Sequence, residues 1–453
     1  MSLSEVPPPV AESPGSDLPD VRTRPPGPAS RSWQLRLSER QVPMGPRRAP
    51  VSGDGLRPAG PIVLGTGLGS NVFDVDMNRY VDLAAGFGAL LLGHCHPNIV
   101  RALQIQASRL FQGMGDLYPS DAKIGLLERL AQISPIPEAQ LILGQSGADA
   151  IGAALKTATL VTGRPGVVAF HGSYHGLSYG PLAALDLRPS YRAPFEAQLS
   201  PHVRFAPYPS NPSELDASLA AVRLALSSGD ASAILVEPLL GRGGVVEPPA
   251  GFLSGLAELA REFSALLVFD EIWTGLGRIG DWFVCSKEGV VPDLLCVGKG
   301  LGGGLPISAC IGRREIMTHW SRDEEVVDSS TFAGAPLACT TALATIDVLS
   351  RQRLVFRARE VGDAWKARLV EKLAGSAIVE VRGRGFMLGL DASKVPGGAS
   401  ALARALLERG YLTSTGGGKR DVLVLTPPLI VPERLLDGFD DALVGALRAL
   451  GSL

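Results

Sequence analysis

Apolar positions along this chain fall into short continuous runs separated by longer stretches with helical spacing. Helix-period segments lie at 123–132, 148–162, 214–226 and 252–263. Between and after them come β-rich runs: VVAF (167–170), HVRFAP (202–207), AILVEP (233–238), LLVFDE (266–271), LLCVG (294–298) and ISACIG (307–312). Apolar runs of this length, alternating with helices, predict parallel strands covered on both faces in a doubly wound α/β sheet. Upstream, VFDVD (72–76) and RYVDLA (79–84) flank Met77–Asn78 and predict a hairpin, and Pro97 opens a helical segment. After Phe332 the pattern changes. A helical stretch at 336–373 precedes IVEVRGRGFMLGLD, a helix at 400–409, VLVLTPPL and a last helix at 432–450. Strands segregated from helices predict a second, smaller α+β domain.

Composition refines this picture mainly at the N-terminus. The first 50 residues hold 11 of the 35 prolines. Residues 1–30 are also nearly free of aromatics, which predicts a disordered Pro-rich tail. From Ser32 onward a helical or lariat-like lead-in is expected. The expected organisation is a segment at 31–95 contributing to the small domain, a large domain at 96–335, and the rest of the small domain at 336–453. That small domain is therefore expected to draw on both ends of the chain.

Lys+Arg 43 against Asp+Glu 45 gives a net charge of −2 over 453 residues. Without a basic excess, nucleic acid is excluded as a partner. No apolar stretch reaches the length of a membrane span, and the N-terminus shows no apolar signal core. Five cysteines without a C-x-x-C pair read as free thiols of a reducing compartment. The expectation is a cytoplasmic protein with no membrane partner and no metal site.

Four places carry candidate chemistry. Asp270 closes an apolar strand in LLVFDEIWTG, where ligands of open α/β sheets gather, and a carboxylate there needs a partner. A helix N-cap or a lone metal ligand is the plainer alternative. Lys299 closes the next run in LLCVGKGLGGG, and a lysine at a buried strand end becomes a good imine-forming nucleophile. Gly300 replaces the Ser or Thr that a Walker loop requires. Gln145-Ser146-Gly147-Ala148 precede an Ala-rich helix, whose first amides form an anion site. Tyr174 and His175 sit in a Gly-flanked loop, FHGSYHG, as an aromatic lid or as a structural pair. Together the four places suit pyridoxal 5'-phosphate: a phosphate site, a stacking ring, an Asp for the pyridine nitrogen and a Lys for the imine.

The segments GHCHP, SGADA, FHGSYHG, ILVEPLLGRGG, FDEIWTGLGRIG, VGKGLGGGLPISA, STFAGAPLAC, RGRGFMLGL and LTPPLIV occur in family order. From about residue 60 to 440 the chain resembles the class III (ω-type) aminotransferases, pyridoxal-phosphate enzymes of fold type I. The resemblance implies that Lys299 is the imine lysine and proton shuttle, and that Asp270 pairs with the pyridine nitrogen. Gly147 and Ala148 would bind the phosphate, Tyr174 and Ile272 would cover the two ring faces, and Glu237 would support Asp270 and His175. Thr331 would reach the phosphate of a neighbouring subunit, implying a homodimer with shared active sites. The implied reaction is a ping-pong transfer from an amino acid or ω-amino donor to an oxo acid such as 2-oxoglutarate or pyruvate. A racemase or epimerase on the same fold is the nearest rival, and a non-catalytic sensor a remote one.

Several positions depart from the γ-aminobutyrate and ornithine branch of that family. Arg242 stands where the branch usually has Glu, and Val424 where it has a carboxylate-binding Arg. Trp273 replaces a frequent Gln or a smaller residue near the cofactor's phenolic oxygen, and Leu177 stands where many relatives place Arg. Arg242 is therefore the candidate for substrate carboxylate recognition, with a solvent-exposed position at the entrance as the alternative and Lys419 and Arg420 as rival cations. Trp273 and Phe87 are the remaining candidate substrate residues. Trp273 either narrows the site or is mere packing.

Overall fold

A computed structural model describes residues 15–42, 61–321 and 328–453. The first helix among the described residues is α1 (Pro28–Ser38). Strands β1 (Leu64–Leu68), β2 (Asn71–Asp74) and β3 (Arg79–Asp82) follow as an antiparallel meander, with the predicted hairpin between β2 and β3. Its turn contains Met77 at φ 66°.

Residues 1–14 of the predicted Pro-rich tail lie outside the described residues. From Gly15 to residue 30 the chain is ordered, which corrects the expectation of a disordered segment ending at 30. The partners of this segment are remote in sequence. Asn71 Oδ1 accepts from the Asp17 amide, and Asn78 Oδ1 accepts from the amides of Arg22 and Thr23. Asp20 makes a bridge to Arg79 on β3, and Asp76 accepts from the amides of Ala29 and Ser30 at the start of α1. Two buried asparagines and one aspartate supply the bonds that composition alone does not reveal.

The central sheet contains β4 (Ala139–Gly144), β5 (Gly166–Phe170), β6 (Val203–Ala206), β7 (Ala231–Val236), β8 (Leu266–Asp270), β9 (Leu294–Val297) and β10 (Ser308–Arg313). Their spatial order is β4-β10-β9-β8-β7-β5-β6. Strand β10 runs antiparallel to both neighbours, and the other six run in one direction. The apolar run at 307–312 therefore predicts a strand correctly but not its direction, since a fully buried run reads alike either way. Strands β5, β7 and β9 are buried throughout, as a sheet covered on both faces requires. Helix α2 (Gly147–Thr162) packs on one face through Ala150, Ile151, Ala153 and Ala154.

After residue 335 the chain forms α3 (Pro336–Arg351) and α4 (Leu354–Lys372). These replace the single helical stretch expected over 336–373; the break falls at Gln352–Arg353, with Arg353 at φ 52°. Strands β11 (Val381–Arg384), β12 (Met387–Asp391), β13 (Tyr411–Leu412), β14 (Ser414–Gly416) and β15 (Val422–Leu425) follow, and α5 (Glu433–Ala449) closes the chain. Strands β11, β12, β15 and β14 form one antiparallel sheet. Strand β13 instead pairs parallel with β3, so one sheet holds strands from both ends of the chain.

Candidate active site

Because β4, β5, β7, β8 and β9 all point the same way, the segments leaving their carboxyl ends meet at one edge of the sheet, where open α/β folds bind ligands. Asp270 ends β8, opposite Cys296 on β9, and Lys299 follows β9 after Gly298. Glu237 follows β7, Tyr174 and His175 follow β5, and Ser146 follows β4.

Asp270 is buried, and its Oδ2 lies 2.8 Å from Nδ1 of the fully buried His175 ring. Its Oδ1 accepts from the Ile272 amide at 3.1 Å. Glu237 ties two loops together: Oε1 accepts from the Tyr174 amide at 2.8 Å and Oε2 from the Gly241 amide at 2.9 Å. Burial pushes the Glu237 carboxyl up to about 7; His175 opposes the shift and Asp270 adds to it.

Burial also brings the Lys299 ammonium down to about 8, against the pull of Asp270 and Glu237 and with help from Arg242 and Arg278. Its Nζ lies 4.3 Å from the centroid of the Trp273 ring. Lys299 has φ 40°, a left-handed conformation uncommon outside glycine, in a segment whose neighbours Gly303 and Gly304 are also left-handed.

The turn after β4 is a capping box. Ser146 Oγ accepts from the Asp149 amide, and Asp149 Oδ2 accepts from the amides of Gln145 and Ser146. The amides of Gly147 and Ala148 then open α2, where a helix has no internal acceptors to offer them. A Cβ at Gly147 would stand 2.8 Å from Ile272 Cδ1, so the lack of a side chain keeps this approach open. Gly176, at φ 112°, brings the Tyr174–His175 loop onto Ala148, where a Cβ would lie 2.8 Å from that of Ala148.

Trp273 is buried in a slot that two glycines make. A Cβ at Gly88 would meet its Nε1 at 2.2 Å, and one at Gly241 would meet Cε3 at 2.5 Å. Phe87, next to Gly88, is exposed on the single chain at φ 60°. The Arg242 guanidinium lies over the Tyr174 ring at 4.8 Å from its centroid. Val424 is buried in β15, opposite Gly389 and Ser414. Leu177, Lys419 and Arg420 are exposed.

Thr331 is exposed, its carbonyl accepting from Gln112, while the adjacent Ser330 Oγ accepts from Gln145 Nε2 at 2.6 Å. The segment carrying Thr331 therefore lies beside the turn before α2 of its own chain. Sequence reasoning missed Arg188, which donates to the carbonyls of Gly417 and Gly418. It also missed Arg278, fully buried and donating to the carbonyls of Phe386 and Pro427. Neither lies in a pattern that announces a partner more than a hundred residues away.

A flat, phosphorylated cofactor fits these residues. The helix amides offer anion contacts, Gly147 leaves the room a Cβ would fill, and His175 Nε2 and Trp273 Nε1 are buried polar atoms without a partner among the described residues. A desolvated lysine and a buried Asp–His pair complete a donor set suited to pyridoxal phosphate.

Fold and site together define a pyridoxal-phosphate enzyme of the aminotransferase type. The sequence profile of the family described as Aminotransferase class-III matches residues 57–447. The acetylornithine aminotransferase of Methanosarcina mazei is 36% identical over 386 residues, covering 84% of this chain and 91% of that protein. That of Mycobacterium bovis is 38% identical over 397 residues, covering 86% and 93%. The ornithine aminotransferase of Toxoplasma gondii, solved with partial occupancy of PLP at its active site, superposes with a TM-score of 0.78 at 29% identity. The superposition covers 87% of this chain and 92% of that one. The chain belongs to the class-III aminotransferases: it uses pyridoxal phosphate and transfers an amino group to an oxo acid.

Proposed function

We propose that Lys299 would hold the cofactor through Nζ and would move the proton at the donor carbon. The observation that carries this reading is the placement of a desolvated amine beside a buried carboxylate, at the ends of adjacent strands β8 and β9. When bound, pyridoxal phosphate supplies the electron sink and the carrier of the amino group. Asp270 keeps the pyridine nitrogen protonated, and His175 orients Asp270 through their 2.8 Å contact. Gly147 and Ala148 hold the phosphate through their amides, and Ile272 and Tyr174 cover the ring faces. Glu237 fixes the loop that carries Tyr174. Trp273 walls the site beside Lys299 Nζ. The two half-reactions would run in ping-pong order, because donor and acceptor would use one site in turn and the amino group would stay on the cofactor between them.

The active form is a homodimer in which Thr331 of each chain completes the neighbouring phosphate site. Supporting this, Phe111, Met114, Leu117, Tyr118 and Phe332 are exposed around Thr331, an apolar surface of the kind that subunit contacts cover. All five cysteines are free, which suits a cytoplasmic setting. Among the described residues no helix is long and apolar enough to cross a membrane. An amino-group donor from the ornithine class, as the relatives' names suggest, is compatible with the catalytic set, but Arg242 and Val424 set this chain's carboxylate recognition apart.

Lys299→Ala tests the assignment. The variant should lose the visible absorbance of covalently held cofactor and at least about 1,000-fold in turnover. Turnover at the wild-type level would overturn it.

A further inference from the structure

The GHCHP segment (93–97) has no part in the catalytic set, yet its first histidine is tied to a buried carboxylate. His94 Nε2 lies 2.8 Å from Oδ2 of Asp82, the last residue of β3. The His94 backbone bonds that of Gly69 in both directions, at 2.7 and 2.8 Å. Its ring covers Gly67, where a Cβ would stand 2.8 Å from Cγ. Backbone and ring are both fixed, and together they present Nε2 to Asp82. The other oxygen of Asp82 acts on the chain ahead: Oδ1 accepts from the amides of Ala84 and Ala85, each at 2.9 Å.

From Ala85 the backbone is left-handed for four residues: Ala85, Gly86, Phe87 and Gly88 have φ 44°, 58°, 60° and 83°. Glycine takes this conformation freely, whereas alanine and phenylalanine bring a Cβ too close to the following carbonyl oxygen. Such residues stay left-handed only where their surroundings impose it. Here Asp82 fixes the two entering amides, and Thr426, just past β15, donates through Oγ1 to the Ala84 carbonyl at 3.1 Å. The amides of Gly88 and Leu90 then close the turn onto the carbonyls of Ala84 and Ala85, at 2.9 and 3.0 Å. The turn ends against the reacting centre. Gly88 leaves no room for a Cβ before Trp273 Nε1, and the Trp273 ring centroid lies 4.3 Å from Lys299 Nζ. Phe87 is exposed beside that contact.

We propose that Asp82, steadied by His94, is a positioning residue for amino transfer: by holding residues 85–88 left-handed it sets Phe87 and Gly88 as a wall beside Trp273 and Lys299. The proposal rests on the aminotransferase reading of the site and adds to it a carboxylate that acts through four backbone positions. Without the Oδ1 acceptor, Ala85 and Phe87 relax toward ordinary φ values, and the wall moves. Lys299, Asp270 and the turn before α2 lie on other elements and stay in place. The loss therefore falls on substrate capture, and cofactor attachment is spared. Donor and acceptor enter past the same wall, so either substrate reports it.

Hydrogen exchange over residues 83–92 of the holoenzyme reads the turn without turnover. Asp82→Ala should speed exchange there at least about tenfold, and Asp82→Asn less, because asparagine keeps an acceptor for the two amides. In amino transfer to 2-oxoglutarate with ornithine as donor, Asp82→Ala should raise KM for 2-oxoglutarate at least about fivefold. Its kcat and the visible absorbance of its bound cofactor should stay within about twofold of wild type. Adding Ala85→Gly to Asp82→Ala should bring KM back to within about twofold of wild type, since glycine takes φ 44° without steric cost. Unchanged exchange or KM in Asp82→Ala, a fall in kcat or cofactor absorbance as large as the rise in KM, or no recovery with Ala85→Gly overturns the proposal. Should Asp82→Ala fail to fold, Asp82→Asn should show the same split with a KM rise of about threefold, and an unchanged KM there overturns the proposal. If the wild-type holoenzyme transferred nothing to 2-oxoglutarate, the function assignment would fail instead, and hydrogen exchange would still judge the turn.

Discussion

At the scale of single residues, the proposed chemistry depends on one amine that the fold buries. Lys299 is brought down to about 8 by burial, partly opposed by Asp270 and Glu237. The sign matters for cofactor capture, since only the neutral amine attacks a carbonyl. Below pH 8 the protonated form dominates and capture slows; above it the neutral form saturates. Between pH 7 and pH 9 the neutral fraction of such a group rises about tenfold and then levels off. An ordinary lysine would gain about a hundredfold over the same interval and keep gaining past pH 10. Stopped-flow absorbance of pyridoxal phosphate binding to cofactor-free protein reads this directly, and a plateau by about pH 9 is the expected outcome. The placement of Lys299 and Asp270 at the ends of adjacent strands was legible in the sequence because each ends an apolar run, a local signal. Arg188 was not, because what gives it a role is a turn 229–230 residues away.

Among elements, the site is a set of loops held together by a few buried acceptors. Glu237 is the clearest example, since its two oxygens take the Tyr174 amide after β5 and the Gly241 amide after β7. Glutamine has nearly the same shape, but its amide nitrogen would face a second donor, leaving one buried N–H without an acceptor. Such a loss costs about 1–3 kcal/mol. Glu237→Gln should therefore lower stability by that amount in urea unfolding. It should also weaken cofactor binding several-fold, because the loop carrying Tyr174 loses its anchor. Unchanged values for both would show that the two loops are held by other contacts. Six of the seven strands of the central sheet were readable from periodicity, β4 being missed, and α2 begins one residue from its expected start. The direction of β10 and the break between α3 and α4 were not. A buried apolar run carries no direction, and the left-handed Arg353 sits in a stretch with unbroken helical spacing. Order in residues 15–30 was hidden for a related reason, since the asparagines that hold them lie in another element.

For the whole molecule, the open question is why so much apolar surface remains exposed beside the catalytic edge. Phe111, Met114, Leu117, Tyr118 and Phe332 are each more than half exposed on the single chain. They belong together: Gln112 donates to the Thr331 carbonyl, Met114 pairs with Tyr118, and Gln145 links Ser330 to the turn before α2. Burying an aromatic side chain of this size stabilises an interface by about 1.5–3 kcal/mol, and a charge in its place opposes association. Phe332→Glu should therefore shift the protein from dimer to monomer in sedimentation velocity at micromolar concentration. Because the same segment carries Thr331 and borders the turn before α2 proposed to hold the phosphate, the monomeric variant should also bind pyridoxal phosphate at least about tenfold more weakly, whereas folding of the chain, read by far-ultraviolet circular dichroism, should persist. If Phe332→Glu were monomeric with wild-type cofactor affinity, the phosphate site would be complete within one chain, with the Gln145–Ser330 contact closing it. A variant that stayed dimeric would place the subunit interface elsewhere on the molecule. The two readouts together therefore separate assembly from the completion of the site.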